Sequence, residues 1–328
     1  MDKNNVLSME KTTRNAQMMA SIVDNIETVM LGKRSVVEMT VMALICGGHV
    51  LIEDVPGVGK TTLVSSLAKS IDCGFNRIQF TPDIMPSDVT GFSIFNQKER
   101  EFEFRPGAVM SNLILADEIN RASAKTQSSL LEAMEERQVT VDSNTYKLEE
   151  PFMVLATQNP LESYGTYPLP EAQIDRFLIK LSIGYPDILQ EMDMLELGNS
   201  GKQSIRPVVS GADVNRMKED VARIHVSREV NQYVVEIVTA TRNHSDLKLG
   251  SSPRGSLALY NLSRTYAMYN GRNYVLPDDV KFIAPYALAH RITLTHDAKS
   301  GGKTPVDVLR NIINSIAVPM DERVFSQS

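Results

Sequence analysis

The chain contains few of the residues that build disulfide frameworks and metal centres. It has no tryptophan, 2 cysteines and 5 histidines in 328 residues. Cys46 and Cys73 form no disulfide or metal-binding pattern, so we expect both to be buried structural thiols. The histidines are scattered along the chain and show no metal-ligand spacing. These shortages argue against a fold held together by disulfides or by a bound zinc ion.

Strong charge of one sign and long apolar runs are also missing. The 34 basic and 40 acidic residues give a net charge of −6, which supplies no broad electrostatic footprint for nucleic acid. The apolar stretch 41–52 is interrupted by Gly47-Gly48-His49, so it does not approach the length of a membrane span. The polar residues 1–5 lack the apolar segment of a secretory signal. We therefore expect a cytoplasmic protein.

Residues 55–62 form the clearest chemical motif. Their sequence, Val-Pro-Gly-Val-Gly-Lys-Thr-Thr, follows the apolar run 50–52 and leads into a helical pattern, as in a phosphate-binding P-loop. Glycines let such a loop approach a ligand closely, while its amides and the helix N-terminus bind phosphate oxygens. The motif predicts a nucleoside triphosphate site in which Lys60 contacts the β and γ phosphates and Thr61 binds Mg²⁺. The residues assigned to this site are Pro56, Gly57, Val58, Gly59, Lys60, Thr61 and Thr62.

One position departs from the strict P-loop pattern. Where the pattern begins with a glycine, this chain has Asp54. The start of the loop is therefore open to question, whereas the glycines, lysine and threonine that contact phosphate are all present.

Polar side chains follow two further apolar runs. Leu113-Ile114-Leu115-Ala116 precedes Asp117 and Glu118, and the run 152–156 precedes Thr-Gln-Asn159. In a P-loop enzyme this acidic pair predicts Asp117 as the metal residue and Glu118 as the catalytic base that acts on water. Asn159 either bonds the γ-phosphate and orients water, or only serves a turn before a proline.

The order of the patterns predicts the domain organisation. From His49 to Ile183, the short apolar runs 78–80, 113–116 and 152–156 suit central strands and alternate with helical stretches. This alternation indicates an α/β fold with a doubly wound parallel sheet and the P-loop at its carboxyl edge. A segment rich in glycine, asparagine and serine follows, and the remaining pattern is helical. We predict an α/β core with an N-terminal helix at residues 1–190, a linker at 191–206 and a small all-α domain at 207–328.

Two arginines occupy positions that call for an explanation. Arg176 lies between Asp175 and Phe177, and it could simply pair with a nearby carboxylate. Arg254 follows Ser252 and Pro253, a helix cap and a first helical residue. A cation in the first helical turn opposes the helix dipole at a cost of about 0.3–1 kcal/mol. A role other than helix stability is therefore expected for Arg254.

Two segments alternate apolar and polar residues around a polar tip. The first runs from Gly91 to Phe104, and the second runs from Val139 to Leu148 around Asp-Ser-Asn. Both patterns predict β-hairpins. Apolar residues on the first either pack the hairpin onto the core or offer a patch for a protein partner.

Together these features resemble the AAA+ ATPases, and within them the MoxR family of the helix-2-insert clade. The resemblance covers essentially the whole chain from Gly32 onward. The motifs that carry it are His49-Val-Leu-Ile-Glu-Asp-Val-Pro-Gly57, Phe104-Arg-Pro-Gly107, Ala116-Asp-Glu-Ile-Asn-Arg121, Ala156-Thr-Gln-Asn-Pro160 and Ser252-Pro-Arg254.

The resemblance implies a role for each candidate residue. Lys60 and Thr61 correspond to Walker A, Asp117 and Glu118 to Walker B, Asn159 to sensor 1, Arg176 to an arginine finger offered to the next subunit, and Arg254 to sensor 2 in a helical lid. It also implies ATP hydrolysis with Mg²⁺, a homo-oligomeric ring of hexameric size, and a chaperone-like motor for maturation, assembly or cofactor insertion. The implied partners are a protein with a von Willebrand A domain and a protein client.

Three rival functions are distinguished by specific residues. A nucleic-acid motor needs cations near its hairpin tips, whereas Lys98 and Arg100 lie among Glu99, Glu101 and Glu103. A metal-chelatase motor subunit is more similar to a MoxR-type ATPase than a nucleic-acid motor is, and this alternative stays open. A nucleotide switch without turnover could dispense with a catalytic base and an arginine finger.

Overall fold

The structure, a computed structural model, describes residues 6–159, 166–192, 195 and 204–319. These residues form two compact units. Residues 18–218 make the larger unit, and residues up to 17 join those from 219 onward in the other.

The first part of the chain alternates helices with strands. Its elements, in chain order, are α1 (Met9–Glu27), α2 (Arg34–Ile45), β1 (Val50–Glu53), α3 (Lys60–Ser70), β2 (Phe75–Gln79), α4 (Pro86–Thr90), β3 (Gly91–Asn96), β4 (Glu101–Pro106), β5 (Leu113–Asp117), α5 (Ala124–Glu136), β6 (Gln138–Val141), β7 (Asn144–Lys147), β8 (Met153–Gln158), α6 (Glu171–Ile174), β9 (Ile179–Leu181) and α7 (Gly211–Val221). A short 3₁₀ helix, Ile119–Arg121, follows β5.

Five of these strands form one parallel sheet in the order β2-β5-β8-β1-β9. The predicted parallel α/β sheet is therefore confirmed. β5 and β8 are buried along almost their whole length, because a central strand covered on both faces carries a continuous apolar run. The prediction of a central strand at 78–80 is wrong, because β2 lies at the edge of the sheet and is mostly exposed, with a polar sequence around the buried Ile78.

His49 makes hydrogen bonds at the amino-terminal edge of the sheet, opposite the edge that carries the P-loop. Its Nδ1 accepts a hydrogen bond from the Val154 amide at 2.9 Å, and its Nε2 lies 3.0 Å from the Met134 carbonyl oxygen, to which it donates. Burial and the nearby Arg137 guanidinium lower the pKa of His49 to about 3, so the ring is neutral at physiological pH. The first residue of the motif preceding the P-loop therefore has a structural role.

The two predicted hairpins are present as β3–β4 and β6–β7. The rings of Phe104 and Tyr146 stack across them, with centroids 3.9 Å apart, and both pack against the hydrophobic core. The base of the first hairpin is pinched. A Cβ built on Gly107 would lie 2.3 Å from the Gly91 nitrogen, so no larger residue fits there without a shift.

The tip of the first hairpin carries a second aromatic pair. Phe95 and Phe102 face each other in register, with ring centroids 5.4 Å apart, and are 53% and 75% exposed. The apolar residues of this hairpin thus divide, because Phe104 packs on the core while Phe95 and Phe102 remain at the surface.

The second unit is mainly helical, in agreement with the predicted helical lid. The elements that follow α7 in the chain belong to this unit. They are α8 (Arg228–Arg242), β10 (Leu247–Leu249), α9 (Pro253–Tyr269), α10 (Pro277–Leu288), β11 (Thr293–Leu294), α11 (His296–Ser300) and α12 (Pro305–Ser315). The short antiparallel ribbon of β10 and β11 was not predicted, since strands of two or three residues are too short to show an alternation.

The predicted domain boundaries differ from the compact units. Residues up to 17 group with the helical unit, where the Leu7 amide donates to the Arg223 carbonyl and the Asn15 amide group donates to Asp220. Residues 207–218 group with the α/β unit, because Val208 pairs with the Ser70 carbonyl. Much of the predicted linker, at 193–194 and 196–203, lies outside the described residues.

Cys46 and Cys73 are not disulfide-bonded and are only partly buried, so the expectation of buried thiols is wrong. Desolvation, reinforced by Asp72 and Glu149, raises the pKa of Cys73 to about 11. Among the described residues, no helix is long and apolar enough to cross a bilayer.

Candidate nucleotide site

The P-loop lies between β1 and α3 at the carboxyl edge of the sheet. Gly57 and Gly59 have φ values of +86° and +92°, a left-handed conformation that favours glycine. A Cβ at either position would meet no atom within 4 Å, so conformation, and not crowding, selects glycine here. The loop therefore offers an open cradle of backbone groups at the start of a helix, as phosphate binding requires.

A cleft of about 260 Å³ extends from this loop along the ends of the neighbouring strands. The Lys60 ammonium and the loop that begins α3 are groups that bind phosphate oxygens. The lining of the cleft comprises Pro56, Gly57, Gly59, Lys60, Thr61, Thr62, Arg77, Gln79, Asp117, Glu118 and Asn159. Of the predicted nucleotide-binding residues, only Val58 does not line it; its side chain is buried.

Asp54 gives the loop's departure from the strict pattern a physical explanation. Its Oδ2 accepts hydrogen bonds from the Ile183 amide at 2.5 Å, the Gly184 amide at 2.8 Å and the Ser182 hydroxyl at 3.2 Å. Its backbone carbonyl accepts the Lys60 ammonium at 3.0 Å. The side chain is almost wholly buried. Asp54 thus joins the start of the P-loop to the chain that leaves β9.

The two predicted catalytic carboxylates lie side by side and share Thr157. The Thr157 hydroxyl donates to Asp117 Oδ1 at 2.7 Å and accepts the Glu118 amide at 2.9 Å. Glu118 has a φ of +57°, a left-handed turn that ends β5. Its carboxylate accepts hydrogen bonds from Gln79 at 2.7 Å and Arg121 at 3.0 Å. The base therefore has a defined orientation.

Asn159 follows β8 and lines the same cleft, with little exposed surface. Its position agrees with the phosphate-side alternative, although a turn before proline is equally compatible with it. Pro160 lies outside the described residues.

Arg176, the predicted arginine finger, does not line the cleft. Arg176 follows α6, and its Nη2 forms an ion pair with Glu135 of α5 at 3.2 Å. This contact agrees with the simpler alternative, in which Arg176 pairs with a nearby carboxylate. Arg254 belongs to the helical unit. It lies in the first turn of α9, where its amide donates to the Ser252 cap at 3.1 Å, so the predicted helix start is confirmed. Both functional roles stay predictions.

Sequence reasoning missed Arg77 and Gln79, which contact Asp117 and Glu118 respectively. Both lie near the carboxyl end of β2, where Gln79 pairs in register with Asp117. The usable signal was positional, because polar side chains at the end of a strand beside the acidic strand meet at one sheet edge.

Comparison with known proteins agrees with this geometry. Residues 49–179 match the ATPase family associated with various cellular activities (AAA), and residues 239–312 match the AAA lid domain. Chaperone MoxR1 of Mycobacterium tuberculosis (strain ATCC 25618 / H37Rv) is 40% identical over 311 residues, covering 92% of this chain and 82% of that protein. The chain belongs to the MoxR family of AAA+ ATPases.

Two further relatives extend the similarity. The uncharacterized protein YeaC of Bacillus subtilis (strain 168) is 50% identical over 92% of this chain and 95% of its own. A crystal structure from Cytophaga hutchinsonii ATCC 33406 superposes with a TM-score of 0.89 at 38% identity, covering 95% of this chain and 98% of that one. As a MoxR-family AAA+ protein, the chain binds nucleotide and hydrolyses ATP.

Replacing Asp54 with the glycine of the strict P-loop pattern should lower both the stability of the fold and the affinity for ATP. Asp54→Gly removes the acceptor of the Ile183 and Gly184 amides, and buried amides left without a partner cost roughly 2–3 kcal/mol in all. We expect a lower urea midpoint and weaker ATP binding, with Asp54→Asn intermediate because it keeps one acceptor oxygen. A glycine variant with the stability and ATP affinity of the parent would contradict the structural role of Asp54.

Proposed function

We propose that the cleft uses its own residues to bind ATP with Mg²⁺ and to activate water. When ATP binds, the Lys60 ammonium leaves the Asp54 carbonyl oxygen and contacts the β and γ phosphates, which lie over the open loop. Thr61 and Asp117 supply oxygen ligands, directly or through water, and such ligands suit a hard cation. Held by these residues, Mg²⁺ would neutralise negative charge on the phosphates.

We assign proton abstraction to Glu118 and orientation to Asn159. The Glu118 carboxylate lies at the end of β5 on the cleft, where Gln79 and Arg121 hold it by hydrogen bonds. A positioned base of this kind takes a proton from the attacking water. Asn159 follows the adjacent strand, so its amide contributes a hydrogen bond to the γ-phosphate side. The observation that carries this assignment is that the carboxyl ends of β2, β5 and β8 meet at one cleft.

Arg176 and Arg254 act, in this proposal, from outside the cleft. The Arg176 side chain is 31% exposed and is absent from the lining of its own chain's cleft. A homo-oligomeric ring, which we take to be a hexamer, supplies Arg176 to the neighbouring site as an arginine finger. Arg254, in the lid, serves as sensor 2 on the γ-phosphate.

The output we propose is chaperone-like work on other proteins in the cytoplasm, in maturation, assembly or cofactor insertion. The relative from Mycobacterium tuberculosis is named a chaperone. Phe95 and Phe102 provide an exposed aromatic surface, and Glu101 and Glu103 disfavour a phosphate backbone close by. We propose this hairpin as a contact for a protein partner or client, with a von Willebrand A domain protein as the partner.

Two substitutions should separate binding from chemistry. Lys60→Ala removes a ground-state phosphate contact, so it should abolish triphosphate binding. Glu118→Gln should bind ATP normally and lose about 10²–10⁴-fold in turnover, because only the base is removed. Equilibrium binding measured alongside phosphate release tests both. Turnover of Glu118→Gln at the parent rate would show that the base is another group.

Arg176→Ala should bind nucleotide and lose hydrolysis, since each site then lacks its neighbour's cation. Arginine fingers supplied in trans contribute about 10³–10⁵ in GTPases, and we expect a smaller but large loss here. Turnover per subunit of the parent should rise with protein concentration. Mixing Arg176→Ala with Lys60→Ala should restore part of the activity, because an intact cleft meets an intact finger. Co-assembled mixtures without rescue would contradict this role.

Substituting the hairpin tip should impair partner stimulation and leave basal turnover intact. We expect Phe95→Ala and Phe102→Ser to reduce partner-stimulated ATPase activity, because both rings are exposed and neither contributes to the core. The matched control is Val235→Ala, another exposed apolar residue, in the helical unit. Salt-sensitive DNA binding with DNA-stimulated turnover in the parent would favour a nucleic-acid motor instead.

A further inference from the structure

Arg77 holds the carboxylate assigned to the metal. It lies on the edge strand β2, and its Nη2 donates to Asp117 Oδ2 at 2.6 Å and to Gln79 Oε1 at 2.8 Å. The guanidinium lines the nucleotide cleft and is 47% exposed. Asp117 is only 14% exposed. A half-exposed cation is thus paired with a mostly buried anion at the place where a metal ion is expected.

Both oxygens of Asp117 are engaged. Thr157, which is fully buried, donates to Oδ1, whereas Arg77 reaches Oδ2 from the solvent side. Oδ2 faces the solvent side of the cleft, so it is the oxygen at which Arg77 and a metal ion, or water bound to the metal, would compete. Arg77 is also the more readily displaced partner, since exposed ion pairs are weak and a long arginine side chain can reorient.

The ion pair between Arg77 and Asp117 matters more for the net charge of the cleft than for the stability of the fold. Asp117 and Glu118 place two carboxylates beside a loop built for phosphate, so an uncompensated Asp117 would repel ATP. Arg77 neutralises Asp117 from a half-exposed position, and its bond to Gln79 Oε1 turns the Gln79 amide nitrogen toward Glu118. One guanidinium thereby restrains both catalytic carboxylates.

We propose that Arg77 is a resident counterion that occupies Asp117 until Mg²⁺ replaces it, so that this side chain sets how strongly nucleotide binding depends on Mg²⁺. The inference rests on the proposed metal role of Asp117. Arg77 is a positioning residue here. It lowers the repulsion of nucleotide without metal, and it competes with the metal once nucleotide is bound.

The test compares nucleotide affinity with and without Mg²⁺. The probe is a fluorescent, non-hydrolysable ATP analogue, titrated against the full chain in excess Mg²⁺ and in EDTA. The ratio of the Kd in EDTA to the Kd in Mg²⁺ measures the contribution of the metal. In Arg77→Met this ratio should rise about fivefold, the upper value for a half-exposed ion pair. Arg77→Lys, which keeps the charge, should give an intermediate ratio.

Arg121→Met is the matched control. It removes an equal charge from the same site, but Arg121 pairs with Glu118 and not with Asp117. Its ratio should rise less than that of Arg77→Met, because the loss of Arg121 leaves Glu118 uncompensated but frees no oxygen of Asp117. An equal rise in Arg121→Met would overturn the proposal, because the effect would then be general electrostatics. An unchanged or lower ratio in Arg77→Met and Arg77→Lys would overturn it as well.

Asp117→Asn distinguishes failure of the inference from failure of its basis. If Asp117 holds the metal, this variant should lose most of the Mg²⁺ dependence, and adding Arg77→Met should change the ratio no further. Mg²⁺ dependence unchanged in Asp117→Asn would overturn the metal role of Asp117 and the inference with it. A normal loss in Asp117→Asn with no response to Arg77→Met would overturn only the role of Arg77.

Discussion

Parallel pairing of β1, β5 and β8 is the constraint on which the nucleotide site depends. Because the three strands run in one direction, their carboxyl ends meet at one sheet edge, with Ala116 paired to Ala156 and Leu51 also paired to Ala156. The P-loop, the acidic pair and Asn159 then leave the sheet side by side. Their strands are buried almost throughout, so the polar residues that follow them have a rigid base.

Polar contacts between these strand ends orient the reactive groups. The Thr157 hydroxyl donates to the Asp117 carboxylate and accepts the backbone amide of Glu118, so one side chain ties the acidic pair to the end of β8. Gln79 and Arg121 hold the side chain of Glu118. None of these partners has to react, yet a displacement of any of them would move a carboxylate relative to the phosphates. Preorganisation of this kind is what a catalytic carboxylate needs.

Motif spacing predicted the chemistry of individual residues, whereas their partners required the fold. Lys60 and Asp117 follow from a loop and a strand that can be recognised locally. The apolar run 78–80 predicted a central strand, whereas β2 is an exposed edge strand that begins at Phe75 and includes Arg77. The contact of Arg77 with Asp117, 40 residues away, depends on the register between β2 and β5, which no local pattern encodes. The same holds for Asp54, whose hydroxyl donor Ser182 lies 128 residues further along the chain.

The pinch between Gly91 and Gly107 has an evolutionary consequence. The chain enters and leaves the first hairpin through backbone contact at these two glycines, which leaves no room for side chains. Outward of the Phe104–Tyr146 stack, the hairpin can change length or sequence without altering the sheet or the cleft. Substitutions at the tip can therefore leave the nucleotide cleft unchanged, so the surface that the tip presents and the chemistry of the cleft can vary independently.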